Sequence, residues 1–239
     1  MPAVCPWHAK IEPPTVKIAL FGGTFDPVHI GHLKAARAAI RCFDLDRVLF
    51  VPCGKPPHKL RNHVTSYPHR FAMVALAARG EPKFVPSLLE VPKPDGEPNY
   101  SVETAGRVRR VLGGKDRLYF LLGLDAFLDL PNWKDYRRLL GLAEFIVVSR
   151  PSFDDRRLAE VIEEARRPGR MPDGAPRLPL AALEGAHILG GVHVPVASRD
   201  IRRTARLGRP LTGLVPPPVE EYIVKEGLYC PGRPGRTLQ

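Results

Sequence analysis

The fold is decided by residues 16–51, VKIALFGGTFDPVHIGHLKAARAAIRCFDLDRVLFV. Residues 16–21 form an apolar run of strand length that ends at two glycines, and residues 47–51 form a second run that ends at a proline. Between them, residues 30–42 place their apolar side chains on one side of a helix. A strand, a glycine turn, a helix and a strand make a βαβ unit, which predicts a parallel sheet with a right-handed crossover.

Strand and helix patterns continue to alternate along the rest of the chain. The expected strands cover residues 118–122, 144–148 and 192–196, with one or two short strands within 84–91. The expected helices cover residues 68–78, 101–112, 136–140, 198–207 and 216–226, with a short helix from Asp125. We expect Ser101 and Ser198 to be N-caps of their helices. This alternation predicts an α/β fold with one doubly wound parallel sheet and a small helical C-terminal part.

The domain organisation follows from changes in composition. Residues 1–15 are expected to be a leader, residues 16–229 a single domain, and residues 230–239 a tail. Within the domain, residues 151–191 carry weaker patterns, so we expect an insertion or loop there, with a charged helix at 156–166. No internal repeat is visible in the sequence.

Composition and charge narrow the classes of function. The 239 residues are 44% hydrophobic and 26% charged, which is typical of a soluble globular protein. The net charge of +11 favours anionic partners, which include nucleic acid, acidic lipid and phosphorylated metabolites. No apolar run reaches the length of about 18 residues that a membrane span needs, and the proline-rich start lacks the apolar region of a signal peptide. Four scattered cysteines indicate neither a zinc knuckle nor a disulfide framework. We therefore expect a cytoplasmic protein and, since no span is visible, no membrane partner.

The loop after the first strand is the candidate ligand site. Ligands of open parallel sheets bind beyond the carboxyl ends of the strands, and Gly22 and Gly23 let the backbone approach a ligand closely. The loop contains neither G-x-x-x-x-G-K-[ST] nor G-x-G-x-x-G. Instead His29 and His32 stand three residues apart, where they can donate hydrogen bonds to phosphate oxygens beside a helix N-terminus. Two alternatives are a pair of solvated histidines and a zinc site, although no third ligand stands at helical spacing.

The string GGTFDPVHIGH resembles the signature of the nucleotidyltransferase superfamily that carries the motif HxGH, here His29-Ile30-Gly31-His32. Within that superfamily the sequence is similar to the bacterial nicotinate mononucleotide adenylyltransferase family. The supporting stretches are PPHK (56–59), HRFAM (69–73), PNYSVET (98–104), LLGLDAF (121–127), LPNW (130–133) and VPPPVEEYIVKEGLY (215–229). They occur in the family's order over residues 16–150 and 192–229.

The resemblance implies a Rossmann-like nucleotidyltransferase fold and a reaction of NAD biosynthesis. A phosphate oxygen of nicotinate mononucleotide would attack the α-phosphorus of ATP in line, giving the dinucleotide and pyrophosphate. Both partners are anions, so positioning and charge neutralisation would supply most of the catalysis. Mg²⁺ would be carried mainly by oxygens of ATP, and no protein residue is expected as a metal ligand.

The resemblance also assigns roles to residues. His29 and His32 would contact the triphosphate and stabilise the transition state, and Thr24 and Phe25 would line the junction of the two nucleotides. Three further groups complete the implied site: Gly123 and Asp125 at the ribose and base of ATP, Lys59 at the phosphates, and Ser101, Thr104 and Trp133 at the mononucleotide.

Some of these residues allow a purely structural interpretation. Phe25 can pack inward and Trp133 can fill the core, while Asp125 suits a helix N-cap. Lys59 alone is typical of a solvated loop charge.

A second motif departs from the family pattern. The family shows I-S-S-T-x-I-R where this chain has VASRDIR at 196–202, so Ser198, Ile201 and Arg202 match while Ala197 and Arg199 do not. The hydroxyl of Ser198, the helix dipole and Arg202 would bind the phosphates of ATP. Arg199 either replaces a lost hydroxyl bond with a charge or points away. Asp200 either weakens phosphate binding or helps to hold Mg²⁺.

Three alternative functions stay open at this point. The chain can be another adenylyl- or cytidylyltransferase of the same superfamily, or a nucleotide-binding homologue with weak turnover. A basic nucleic-acid-binding module is the third, but no aromatic residues are interleaved with the arginines of residues 198–210, so nucleic acid is the less favoured partner. The expected partners are ATP and nicotinate mononucleotide, and a homo-oligomer is compatible with the sequence.

Overall fold

The computed structural model describes residues 15–55, 64–148, 184–192 and 195–230. Within these residues, six strands pair in parallel in the order β3-β2-β1-β4-β5-β6. Their bounds are β1 Lys17–Gly23, β2 Arg47–Pro52, β3 Phe84–Pro86, β4 Arg117–Gly123, β5 Glu144–Val148 and β6 Ala186–Leu189. This order reverses between β1 and β4, as in doubly wound sheets, so the predicted α/β class is confirmed.

Seven α-helices connect and flank these strands within the described ranges. They are α1 Ile30–Phe43, α2 Tyr67–Ala78, α3 Ser101–Arg109, α4 Leu124–Leu128, α5 Tyr136–Leu140, α6 Ser198–Arg206 and α7 Pro217–Lys225, with a 3₁₀ turn at Leu130–Asn132. None of the helices in the described part of the chain is long and apolar enough to cross a membrane.

The two faces of the sheet are covered by different helices. Successive residues of β1 alternate between faces, so Phe21 belongs to one core cluster and Leu20 to the other. The first cluster includes apolar residues of α1, α2, α6 and α7, and the second includes those of α3, α4 and α5. Both faces of the central strands are therefore buried, which explains why β1 and β4 are nearly continuous apolar runs.

The predicted elements differ from the structure in three places. In the described part of the chain the last strand lies at Ala186–Leu189, where it pairs with β5. Residues 192, 195 and 196 of the predicted strand are not in a strand, and residues 193–194 lie outside the described ranges. Gly191 has a φ of +72°, so the chain turns before the predicted strand. Ser101 and Ser198 are the first helical residues, and the caps are Tyr100 and Ala197. The predicted helix at 156–166 lies outside the described residues, as do most of the predicted leader, insertion and tail.

Candidate active site

The carboxyl ends of β1 and β4 meet where the strand order reverses. Phe21 pairs with Leu121, so the glycines that end the two strands, Gly23 and Gly123, stand at the same edge. Gly22 and Gly123 are exposed, and a Cβ at either position would meet no atom within 4 Å other than those of its chain neighbours. Parallel α/β sheets bind ligands in this crevice. Gly123, and not Asp125, is the N-cap of α4, so the interpretation of Asp125 as a cap is wrong; Asp125 is exposed in the first turn.

The two histidines lie at the start of α1 with their rings against each other. The ring centroids of His29 and His32 are 3.7 Å apart, and the backbone N–H of His29 donates to Nδ1 of His32 at 3.2 Å. That bond assigns the ring hydrogen of His32 to Nε2, which can therefore donate to an anion. The ring of Phe25 packs edge-on against His32 with centroids 5.0 Å apart, and Phe25 is buried.

Burial makes both imidazoles weak bases. It lowers the pKa of His29 to about 4, and it lowers the pKa of His32 well below the ordinary value, with the charge of His29 as the second cause. Nδ1 of His29 is buried and has no hydrogen-bond partner among the described residues. An anion beside these rings would favour their protonated forms, because it would stabilise positive charge.

The N-terminus of α6 is bonded to the loop that carries the histidines. Arg202 donates from Nη1 to the backbone oxygen of Asp26 at 2.6 Å, and the hydroxyl of Ser198 donates to the backbone oxygen of Pro27 at 2.9 Å. The hydroxyl of Ser198 is therefore used within the fold and does not cap α6, contrary to the expectation. Ile201 is fully buried, so its side chain packs α6 into the core, and a role in ATP binding stays a prediction.

Two residues at the start of α6, Arg199 and Asp200, have side chains that face solvent. The side chain of Arg199 is 86% exposed and that of Asp200 is 65% exposed. Nε of Arg199 lies 3.8 Å from Oδ1 of Asp200. Arg199 therefore points into solvent, and its role at the phosphates stays a prediction.

The predicted mononucleotide residues gather around α3. Ser101 begins this helix, and Thr104 is buried with its hydroxyl donating to Oε1 of Glu90 at 2.9 Å. Nζ of Lys134, the residue after Trp133, lies 4.0 Å from the ring centroid of Tyr100, which connects the Trp133 segment to α3.

Trp133 is partly buried and packs edge-on against Phe120 of β4 with ring centroids 6.4 Å apart. It therefore takes part in the core while keeping some exposed surface. Lys59 lies outside the described residues.

A buried arginine, whose role none of the sequence motifs indicates, holds together the loops that form the crevice. Arg70 is 1% exposed. It donates to three backbone oxygens, from Nη1 to Thr24 at 2.8 Å, from Nε to Thr65 at 2.9 Å and from Nη2 to Gly54 at 3.3 Å. A signal for this role exists, because Arg70 falls on the apolar face of α2, at helical spacing with Met73, Val74 and Ala77.

The carboxylate of Asp26 is a second feature that the sequence did not reveal. Asp26 is buried, with Oδ1 accepting from the hydroxyl of Tyr229 at 2.7 Å and Oδ2 accepting from the backbone N–H of Thr65 at 3.3 Å. Burial raises the pKa of Tyr229, so its hydroxyl stays a donor. The partners are far apart in sequence, and no local pattern could have paired them.

The described residues contain no group of three or more His, Cys, Asp or Glu side chains that could hold a metal ion. In the loop of the histidines, the carboxylate of Asp26 is already used by Tyr229 and Thr65. The donors placed here are suited to anions: imidazole, guanidinium and helix N-terminal N–H groups.

Comparison with known proteins gives the class of protein that this crevice belongs to. A family model described as cytidylyltransferase-like matches residues 20–197. The chain belongs to this cytidylyltransferase-like family of nucleotidyltransferases.

Two relatives narrow the comparison further. The chain is similar to the "Probable nicotinate-nucleotide adenylyltransferase" of Moorella thermoacetica, with 40% identity over 218 residues that cover 90% of this chain and 92% of the relative. It is also similar to a protein of the same name from Thermus thermophilus, with 38% identity over 214 residues that cover 90% of this chain and 100% of the relative.

A solved structure supports the fold. The nicotinic acid mononucleotide adenylyltransferase of Plasmodium falciparum, in complex with NaAD, superposes with a TM-score of 0.62 over 90% of this chain and 97% of that chain. The two sequences are 16% identical, so this likeness concerns the fold alone.

Proposed function

We propose that this chain transfers AMP from ATP to nicotinate mononucleotide, giving nicotinate adenine dinucleotide and pyrophosphate in NAD biosynthesis. The observation that carries the proposal is the contact of Arg202 and Ser198 with the loop of His29 and His32, because it brings the two phosphate-binding motifs to one place. The names of the relatives and the NaAD-bound neighbour support the choice of substrate.

The reaction is an in-line displacement at phosphorus. A phosphate oxygen of the mononucleotide bonds to the α-phosphorus of ATP while the bond to the bridging oxygen of the β-phosphate breaks, and pyrophosphate leaves with that electron pair. Negative charge develops on the oxygens around the α-phosphorus. His32 donates to them from Nε2, His29 lies beside it, and Arg202 supplies a fixed positive charge, so these groups lower the barrier by charge stabilisation.

The remaining residues would bind the two nucleotides. Gly22 leaves room for the nucleotide at the backbone, whereas the missing side chain of Gly23 leaves room for the ring of Phe25, which would lie 3.1 Å from a Cβ there. Gly23, Thr24 and Phe25 would line the junction of the two nucleotides. Gly123 and Asp125 lie across the crevice at the ribose and base of ATP.

The mononucleotide would lie against α3 and the Trp133 segment, where Ser101 and Thr104 stand, with Lys59 reaching the phosphates. The exposed surface of Trp133 suits stacking on a pyridine ring.

Magnesium enters this scheme with the substrate. The donors near the histidines do not form a cation cage, so Mg²⁺ would be bound by the polyphosphate oxygens of ATP, which it neutralises. We propose further that residues 16–229 act as a single domain and that the protein works in the cytoplasm. A homo-oligomer and the absence of a nucleic-acid partner stay predictions.

The test is a substrate panel with the purified full-length chain. ATP, Mg²⁺ and nicotinate mononucleotide should give pyrophosphate and nicotinate adenine dinucleotide in equal amounts, separated by chromatography. Nicotinamide mononucleotide, phosphopantetheine with ATP, and an alcohol phosphate with CTP are the competing substrates. Faster turnover of any competitor would refute the proposed substrate, and ATP binding without product would show a nucleotide-binding homologue instead.

A further inference from the structure

The turn that follows α7 contacts the loop of the two histidines. The hydroxyl of Tyr229 lies 2.7 Å from Oδ1 of Asp26, and the two residues are 203 positions apart. Asp26 is 4% exposed, so this bond is shielded from water. Because the bond joins the C-terminal turn to the first loop of the fold, it can fix the position of that loop in the crevice.

Asp26 connects the elements that the proposed reaction requires. Its side chain accepts from Tyr229, while its backbone oxygen accepts from Arg202 at 2.6 Å. It stands three residues before His29, with buried Pro27 and Val28 between them. A displacement of Asp26 would therefore move both the imidazoles and the guanidinium.

The C-terminal turn is itself fixed by packing. Leu228 is buried in the core, and its backbone N–H donates to the oxygen of Ile223 at 3.0 Å. Tyr229 has a φ of +68°, a conformation that a non-glycine residue keeps only where its surroundings enforce it. The hydroxyl is thus held in place by the turn and does not simply follow the loop.

We propose that Tyr229 is a positioning residue for adenylyl transfer. Its hydroxyl holds Asp26 and, through Asp26, keeps the histidine pair and Arg202 in their positions relative to each other. This inference rests on the proposed function. Tyr229 does not touch the reacting atoms in this scheme. Its contribution is geometric, so removing the hydroxyl affects the rate of the chemical step more than the binding of either substrate.

The structure offers a matched control. Tyr222, on α7, also makes a hydrogen bond through its hydroxyl, to Nδ1 of His69 at 2.8 Å, but this bond joins α7 to α2 and does not reach the loop. Tyr229→Phe and Tyr222→Phe therefore remove the same group from the same end of the chain. Only the first removes a contact with Asp26.

Steady-state kinetics of the full chain test the proposal. Tyr229→Phe should lower kcat by about 10-fold to about 100-fold while KM for both substrates stays within about twofold, and Tyr222→Phe should keep the wild-type kcat. Asp26→Asn should lower kcat as well, and the double variant Asp26→Asn with Tyr229→Phe should be no slower than the slower single variant. Equal kcat values for the two tyrosine variants, or a change in KM alone, would overturn the proposal.

A second readout does not depend on turnover. Amide hydrogen exchange within residues 24–32 should be faster in Tyr229→Phe than in the wild type, and unchanged in Tyr222→Phe. If the wild type gives no dinucleotide, the proposed function fails while this experiment still tests the link. Identical exchange in all three proteins would show that Tyr229 does not hold the loop.

Discussion

Replacing the buried guanidinium of Arg70 by an apolar side chain of similar length, in Arg70→Met, should lower the free energy of unfolding by several kcal/mol. The two shorter hydrogen bonds, at 2.8 and 2.9 Å, are made by a charged donor, and each is worth about 1.5–2 kcal/mol. The third, at 3.3 Å, is long and adds little. The expected loss is therefore about 3–4 kcal/mol, a large part of the roughly 5–15 kcal/mol that stabilises a typical domain.

Urea unfolding followed by circular dichroism at neutral pH measures this loss. The control is Arg37→Met, which removes an arginine from α1 whose side chain is 46% exposed and pairs with Glu81 at 3.1 Å. Such a surface pair contributes less than about 1 kcal/mol. Arg70→Lys keeps the charge but cannot donate to three carbonyl groups in different directions, so it should recover less than half of the loss.

Equal losses of stability for Arg70→Met and Arg37→Met would refute this reasoning. They would mean that the three backbone oxygens find water or other donors when the guanidinium is removed. Full stability of Arg70→Lys would show that the charge alone matters and that the geometry of the three bonds does not.

Three further predictions concern the crevice. His32→Ala should lower kcat far more than it raises the Kd for ATP, because the imidazole acts on the transition state; equal effects would contradict that role. Arg199→Thr should keep or improve ATP affinity, since the native side chain is 86% exposed, and a hundredfold loss would make Arg199 a ligand. His29→Asn should make the free energy of unfolding less dependent on pH between 6.5 and 4. The pKa of His29 is about 4 in the folded state and 6.5 in the unfolded state, so protons bind more readily to the unfolded chain. The wild type therefore keeps its full stability with respect to His29 above pH 6.5 and loses up to about 3 kcal/mol of its free energy of unfolding as the pH falls towards 4. Parallel urea-unfolding curves against pH for the variant and the wild type would refute this.

The elements that the sequence predicts well are those whose pattern is strong over a short range. Strand β5 and helix α5 have the predicted bounds, and the first βα unit follows from an apolar run that stops at two glycines. Strand β6 was misplaced because both AHIL at 186–189 and VHVPV at 192–196 are short and apolar. The turn at Gly191 ends the extended chain after the first of these two segments. The local sequence pattern does not specify that turn, so it could not show which segment forms the strand.

The parts of the site that were missed depend on contacts between distant residues. The hydroxyl of Ser198 can cap a helix or donate elsewhere, and the nearby carbonyl of Pro27, 171 positions away, decides the outcome. The roles of Asp26 and Tyr229 have the same origin. Arg70 differs, since an arginine on the apolar face of a helix is itself a signal of a buried, fully bonded cation.

The distribution of charge in the crevice gives the two histidines a task different from that of Arg202. An arginine guanidinium is a permanent cation, so Arg202 attracts the polyphosphate before any contact forms. The imidazoles are neutral in the free protein, because burial lowers the pKa of both. Their rings lie 3.7 Å apart, so two charges there would repel unless an anion stood beside them. We therefore expect the histidine pair to become positively charged only when phosphate is present. The pair then stabilises the bound and reacting states, and the two rings do not repel each other in the empty site.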